Sequence, residues 1–239
     1  MSKGVVVQVQ DVDRVFGRVQ AVKDVSFRLE AGEFVGLIGH NGAGKTTLIR
    51  LLTGQLPPTS GDIRVDDVDV QSDPYAARQV VGYAPEHPAL YDYLTAREML
   101  TFVAKVRNAT NLDEALELAH LGEDADRLIR EYSQGMRRRV ALAAAIVGRP
   151  KFIVLDEALN GLDPPSAARV KDHLAGLCAE GHTILLSTHV LDTVERVATR
   201  VLMLAHGELI ADESTADLGS EGLERLFLER IGASEGKPT

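Results

Sequence analysis

The 239-residue chain has no tryptophan, five tyrosines, six phenylalanines and a single cysteine. With so few aromatics there is no stacking platform for single-stranded nucleic acid. One cysteine, Cys178, excludes an intrachain disulfide and a cysteine metal cluster. Its setting, Ala-Gly-Leu-Cys-Ala, reads as a helix in which a small hydrophobe packs. No apolar run approaches the ~18 residues that span a bilayer, and Met1-Ser-Lys-Gly-Val-Val-Val lacks the layout of a signal peptide. The expectation is a cytoplasmic protein that reaches a membrane only through a partner. Net charge is −9 and the sequence pI about 5.3, so positive charge is also short. That argues against nucleic acid as the main partner. The histidines at 40, 87, 120, 173, 182 and 206 show no metal-ligand spacing. No internal repeat or low-complexity linker interrupts the chain.

What is present centres on Gly39-His-Asn-Gly-Ala-Gly-Lys-Thr-Thr47. The apolar run Phe34–Ile38 before it reads as a buried strand, and Leu48-Ile-Arg-Leu-Leu52 after it reads as a helix. Strand, Gly-rich turn and helix make the setting of a phosphate-binding P-loop. Glycines let successive N–H groups point at phosphate oxygens, and the helix from about Lys45 adds its positive end. Asn41, Gly42, Ala43, Gly44 and Thr47 are the expected cradle. Lys45 is the expected ligand of the outer phosphates, and Thr46 the hydroxyl ligand of Mg²⁺. The ligand is then a nucleoside triphosphate or a phosphate-bearing relative.

Elsewhere, Val5–Val12, Val25–Glu30 and Gly61–Asp66 read as strands of an antiparallel platform, with a turn at Phe16-Gly17. Val80–Ala84 is a short buried strand. Thr95 with Glu98 forms a capping box, and residues 95–130 read as a helical insertion. Ser133 caps a further helix that stops near Gly148 and Pro150. Strands at 152–155, 183–187 and 201–204 then alternate with helices at 166–179 and 190–198. That alternation predicts a mostly parallel sheet with helices on both faces. Gly207 permits a hairpin into Leu209–Ala211. Near the end, Leu223, Leu226, Phe227 and Ile231 form an amphipathic segment expected to pack on its own chain, before a frayed tail at 235–239.

Lys151-Phe-Ile-Val-Leu-Asp-Glu157 supplies a second piece of chemistry. A strand ending in two carboxylates sets them at the sheet's carboxyl edge, where open α/β folds bind ligands. Asp156 would hold Mg²⁺ through water, and Glu157 would polarise a water for attack on a γ-phosphate.

With these residues in view, the chain resembles the ATP-binding cassette (ABC) ATPases over nearly its whole length. Ser133-Gln-Gly-Met-Arg137 resembles their signature sequence, Asn160-Gly-Leu-Asp-Pro164 their D-loop, and Leu186-Ser-Thr-His189 their switch-histidine segment. Val81-Gly-Tyr-Ala-Pro-Glu86 resembles their Q-loop, and Phe16, 29 positions before Lys45, stands where the family sets an aromatic against adenine. The resemblance implies one ABC domain over residues 1–239, with a P-loop NTPase core, an antiparallel β subdomain and a helical subdomain at about 87–148. It implies ATP and Mg²⁺, and a head-to-tail dimer with a second copy or a paralogous ATPase. Ser133 and Gly135 of one subunit would close over ATP held by the other, Asp163 would lie across the interface, and His189 would sense the γ-phosphate.

Four positions depart from the family pattern. Gln134 replaces a glycine, Met136 a glutamine, Glu86 a glutamine and Ala158 a proline. Glu86 adds a negative charge near the metal and is expected to shift metal dependence rather than abolish activity. Arg137-Arg138-Arg139 reads as a solvated or inter-subunit face. The segment from Pro85 to Glu98 and the Met136-Arg137 signature most resemble the ABC-2 type exporter ATPases. This resemblance implies a separate transmembrane permease docked at His87–Tyr93, with this chain at the inner face of the cell membrane. The rival readings are soluble ABC proteins of ribosomes, chromosome-maintenance ATPases and nucleotide-sensing regulators. The ribosomal proteins usually join two cassettes, and the chromosomal ones carry a coiled coil for which the 47 positions from Glu86 to Ser133 leave no room.

Overall fold

A computed structural model describes residues 4–218 and 222–235. The chain opens as a long hairpin, β1 (Val5–Phe16) and β2 (Val19–Glu30), whose β-branched residues alternate between a buried and an exposed face. Phe16 closes β1 opposite Val19, so the turn falls at Gly17-Arg18, one residue later than the sequence suggests. β3 (Phe34–Ile38) follows, buried throughout, and leads into α1 (Lys45–Leu52). Leu48, Ile49, Leu51 and Leu52 of α1 are all buried, which leaves its polar residues to face outward. β4 (Ser60–Val65) and β5 (Val68–Asp69) return to the platform.

The next helix, α2 (Pro74–Val80), was not expected from the pattern, although Asp73 caps it and Pro74 opens it. β6 (Val81–Ala84) precedes the helical insertion of α3 (Ala96–Val106), α4 (Leu112–Ala119) and α5 (Gln134–Ile146). The stretch expected to be helical from 95 to 130 is therefore broken. Asn108 and His120 take left-handed conformations that end the turns before them, and two short 3₁₀ turns fill 122–131. β7 (Phe152–Asp156), α6 (Pro164–Ala179), β8 (Thr183–Ser187), α7 (Leu191–Val197) and β9 (Arg200–Ala205) then alternate, and β10 (Glu208–Ser214) turns back on β9. The described chain ends with α8 (Thr215–Leu218) and α9 (Gly222–Glu235). The expected tail beyond Glu235 lies outside the described residues, as does the Ile231 side chain.

Two sheets result. One is antiparallel, in the order β2-β1-β4-β5. The other has the order β10-β9-β3-β8-β7-β6, parallel except for β10 at its edge. One core, including Val9, Phe27, Leu37, Ile49 and Val154, joins the platform and α1 to the main sheet. A second, including Leu100, Ile129, Leu142, Ile153 and Leu174, seats the helical insertion and α6. A third packs Leu223, Leu226 and Phe227 of α9 with Val194 of α7 and Met203 of β9. Among the described residues no helix is long and apolar enough to cross a membrane.

Candidate nucleotide-binding site

The carboxyl ends of β3, β7 and β8 open into one cleft of about 850 Å³. Its floor is the turn between β3 and α1. Gly42 (φ 82°) and Gly44 (φ 106°) hold left-handed conformations there, and a Cβ on Gly44 would stand 2.5 Å from the Ala21 carbonyl oxygen. Gly44 is also the N-cap of α1 and offers no capping side chain, so the first-turn amides of α1 lack any side-chain acceptor. Asn41, Gly42, Gly44, Lys45, Thr46 and Thr47 line the cleft. Ala43 does not: it is fully buried, its N–H donates to the His40 carbonyl, and its own carbonyl accepts from Gly207. Ala43 thus shapes the turn from behind.

The Lys45 ammonium lies over this turn, donating to the carbonyls of Gly39 (2.6 Å) and His40 (3.1 Å). Burial pulls it down from the ordinary lysine value, while the charges of Glu157 and Asp156 oppose that shift. Both carboxylates line the same cleft. Asp156 is buried at the end of β7, and burial pushes its carboxyl up. The Ser187 hydroxyl opposes this, the Glu157 and Glu86 carboxylates add to it, and Lys45 opposes it. Glu157 takes φ 50°, a left-handed conformation that swings it out of the strand path. One of its oxygens faces His189 Nδ1 at 3.1 Å, and the other accepts from Asn160 Nδ2 at 2.5 Å.

The donor set suits a phosphate chain with a hard cation. Lys45 and the uncapped helix end attract anions, while Thr46, Asp156 and Glu86 offer oxygen alone, as Mg²⁺ requires. The Ser187 hydroxyl is buried in the same cleft beside Asp156, whose charged form it favours. Among the described residues no group of three or more His, Cys, Asp or Glu could hold a metal unaided. An ion held jointly with phosphate oxygens and water needs none.

Other expected residues stand apart from the cleft. Phe16 is 45% exposed beneath the Arg14 guanidinium, 4.5 Å from its ring centre, and does not line the cleft; Val19 and Gln20 of the same hairpin do. Ser133 is exposed, and its hydroxyl accepts from the Met136 N–H to cap α5. Gly135 lies beside Gly161. Asp163 caps α6 by accepting from the Ser166 N–H; the Ser166 hydroxyl, and after it that N–H, holds its carboxyl below the usual range. The three arginines are partly exposed, and each also has a partner within the chain. Arg137 pairs with Asp92 at 2.7 Å, Arg138 donates to the Asn160 carbonyl, and Arg139 to the His120 carbonyl. Sequence reasoning missed His206, whose ring lies 5.0 Å from that of His40, and Phe227 of α9, both in the cleft lining. Nothing local signals either, because the chain brings them in from more than 150 residues away.

Comparison with known proteins agrees with this geometry. Residues 22–160 match the family model described as ABC transporter. The linearmycin resistance ATP-binding protein LnrL of Bacillus subtilis is 34% identical over 219 residues, covering 89% of this chain and 70% of its own. A solved ATP-binding subunit of an ABC transporter superposes with a TM-score of 0.89 at 28% identity, over 95% of this chain and 99% of that one. A dimeric cassette, MJ0796, bound to ADP and Pi, gives 0.78 at 25% identity, over 87% of this chain and 98% of that one. Aligned stretches cover 64% to 76% of the curated relatives, which are longer than this chain. The cleft on the P-loop turn, the sheet order and these likenesses agree, and the chain belongs to the ABC transporter family.

Proposed function

We propose that this chain is the ATP-hydrolysing subunit of an ABC transporter and drives a separate membrane permease, and that the transporter is an exporter, as the names of several relatives suggest. One observation carries the reading: Lys45, Thr46, Asp156, Glu157 and His189 share one cleft, while Ser133 waits, exposed, outside it. Such a site is completed by a second chain. Head-to-tail pairing would bring Ser133 and Gly135 of one subunit onto the γ-phosphate held by its partner, as the positive end of α5 favours. That the similar cassette MJ0796 is dimeric with ADP and Pi bound supports a two-chain site. Residues 87–148 then act as a helical subdomain carrying the signature segment.

In this mechanism Lys45 and the α1 amides bind and orient the phosphates. Glu157 accepts a proton from water as its oxygen bonds to the γ-phosphorus and the β–γ bridging bond breaks, releasing ADP. His189 steadies the γ-phosphate and the Glu157 carboxylate together. Thr46 and Asp156, with Glu86 in the same cleft, would hold Mg²⁺, which when bound would supply positive charge against the phosphate oxygens. A few residues on from Glu86 in sequence, Tyr91 and Tyr93 are exposed, and Phe102 meets Tyr91 edge-on. This aromatic surface is where we place the permease, which would hold the chain at the inner face of the membrane.

The test uses Glu157→Gln. With Mg-ATP it should lose hydrolysis, retain ATP and elute as a dimer, and a tagged form should pull a polytopic membrane protein from detergent-solubilised cells. A monomer at saturating Mg-ATP would overturn the two-chain site. Recovery of ribosomes or DNA in place of a membrane protein would overturn the transporter.

A further inference from the structure

The turn that follows Glu157 is tied to the signature helix by contacts that the nucleotide chemistry alone does not require. We propose that Asn160 is the positioning residue for Glu157, and that Arg138, on the helix beginning just after Ser133, holds Asn160 in place. The inference rests on the reading of Glu157 as the general base.

A glutamate has three side-chain torsions, so a base aimed at one water needs both oxygens restrained. His189 faces one oxygen of Glu157, but the His189 side chain is 67% exposed. Asn160 donates to the other oxygen from a half-buried position three residues on, at 2.5 Å. The turn between them is closed by the Asn160 N–H donating to the Glu157 carbonyl at 3.1 Å. Charge explains the amide. The cleft already holds the Asp156, Glu157 and Glu86 carboxylates, and a neutral side chain donates an N–H without adding a fourth negative group.

Asn160 is fixed in turn from α5. Arg138, half-buried, donates through Nη1 to the Asn160 carbonyl. Gly161, at φ 71°, makes room for it, because a Cβ there would overlap the guanidinium. The first turn of α5 lies against the same segment: a Cβ on Gly135 would sit 3.8 Å from the Gly161 carbonyl oxygen. The helix that offers Ser133 to a neighbouring subunit is therefore bonded to the turn that aims this subunit's own Glu157. A movement of α5 on meeting the partner's nucleotide would reach Glu157 through two hydrogen bonds.

The test measures Mg-ATP hydrolysis and ATP affinity of the full chain carrying Asn160→Ala or Asn160→Asp, each alone and combined with Glu157→Gln. The amide bond to a charged acceptor predicts a kcat loss of about ten- to a hundredfold for Asn160→Asp, with KM for ATP within about twofold. In the Glu157→Gln background the same changes should leave the residual rate unaltered, because Asn160 acts only through Glu157. A wild-type kcat in Asn160→Asp, or an equal fold loss in both backgrounds, overturns the proposal. Wild-type turnover by Glu157→Gln instead overturns the reading of the base, a separate failure. Should Asn160→Asp fail to fold, Arg138→Gln serves: its loss in kcat must not add to that of Asn160→Ala, and full additivity refutes the link.

Discussion

Asp156 illustrates how a site residue is bought at the expense of the fold around it. It is 5% exposed, and burial raises its carboxyl above the usual value. A folded-state value above the unfolded one means that its contribution to stability is present at low pH and lost as pH rises through that raised value. At neutral pH, without nucleotide, the buried charge opposes folding. Asp156→Asn should therefore raise Tm by about 2–4 °C at pH 7, the shift that about 1 kcal/mol gives in a chain this long. The gain should shrink in acid and be accompanied by loss of Mg²⁺-dependent hydrolysis; calorimetry across pH checks the sign. At this scale the chemistry was legible wherever residues act within a few positions of each other, as in the P-loop turn and the Asp156-Glu157 pair. Asn160 was visible only as part of a motif. Its hydrogen bond to Glu157 follows from a left-handed backbone at position 157, which no residue type announces.

Among the elements, local signals worked where a cap and a periodic face coincided. Thr95 accepts from the Glu98 N–H, and Glu98 accepts from the Thr95 N–H, so α3 starts where the capping box predicts. Thr95→Ala should lower stability by about 1 kcal/mol and leave basal ATP hydrolysis unchanged, measured by urea unfolding and a phosphate-release assay. A drop in hydrolysis without loss of stability would contradict this. The signal failed for α2, whose seven residues bury only Ala77 and so carry almost no apolar period. It also failed between α3 and α4, where Arg107-Asn-Ala-Thr-Asn111 is poor in helix formers and left-handed Asn108 stops the helix. Beyond that break Ala109 and Leu112 pack on the insertion core.

At the level of the whole molecule, the architecture was legible because strand and helix alternate so regularly after residue 150. The sheet order was not, since pairing β3 between β8 and β9 depends on contacts that span most of the chain. The same scale governs coupling to a permease. Tyr91 and Tyr93 are 61% and 78% exposed, and Arg130 lies over the Tyr93 ring at 5.7 Å. Replacing both tyrosines with aspartate should abolish transport in reconstituted vesicles while sparing ATP hydrolysis by the isolated subunit. Transport at the wild-type rate would remove this surface from the coupling path.

The place of β3 in the sheet also sets an order of events at the ribosome. Its two neighbours, β8 and β9, begin at Thr183 and Arg200, the first of them 145 positions after Ile38. At about 5–20 residues per second, the strand that carries the P-loop waits roughly 7–30 s between its own synthesis and that of its first partner. Through that interval its edges stay unsatisfied on both sides, and only elements made before Thr183 can cover its apolar faces. The nucleotide cradle is therefore among the first parts of this protein to be made and among the last to be finished.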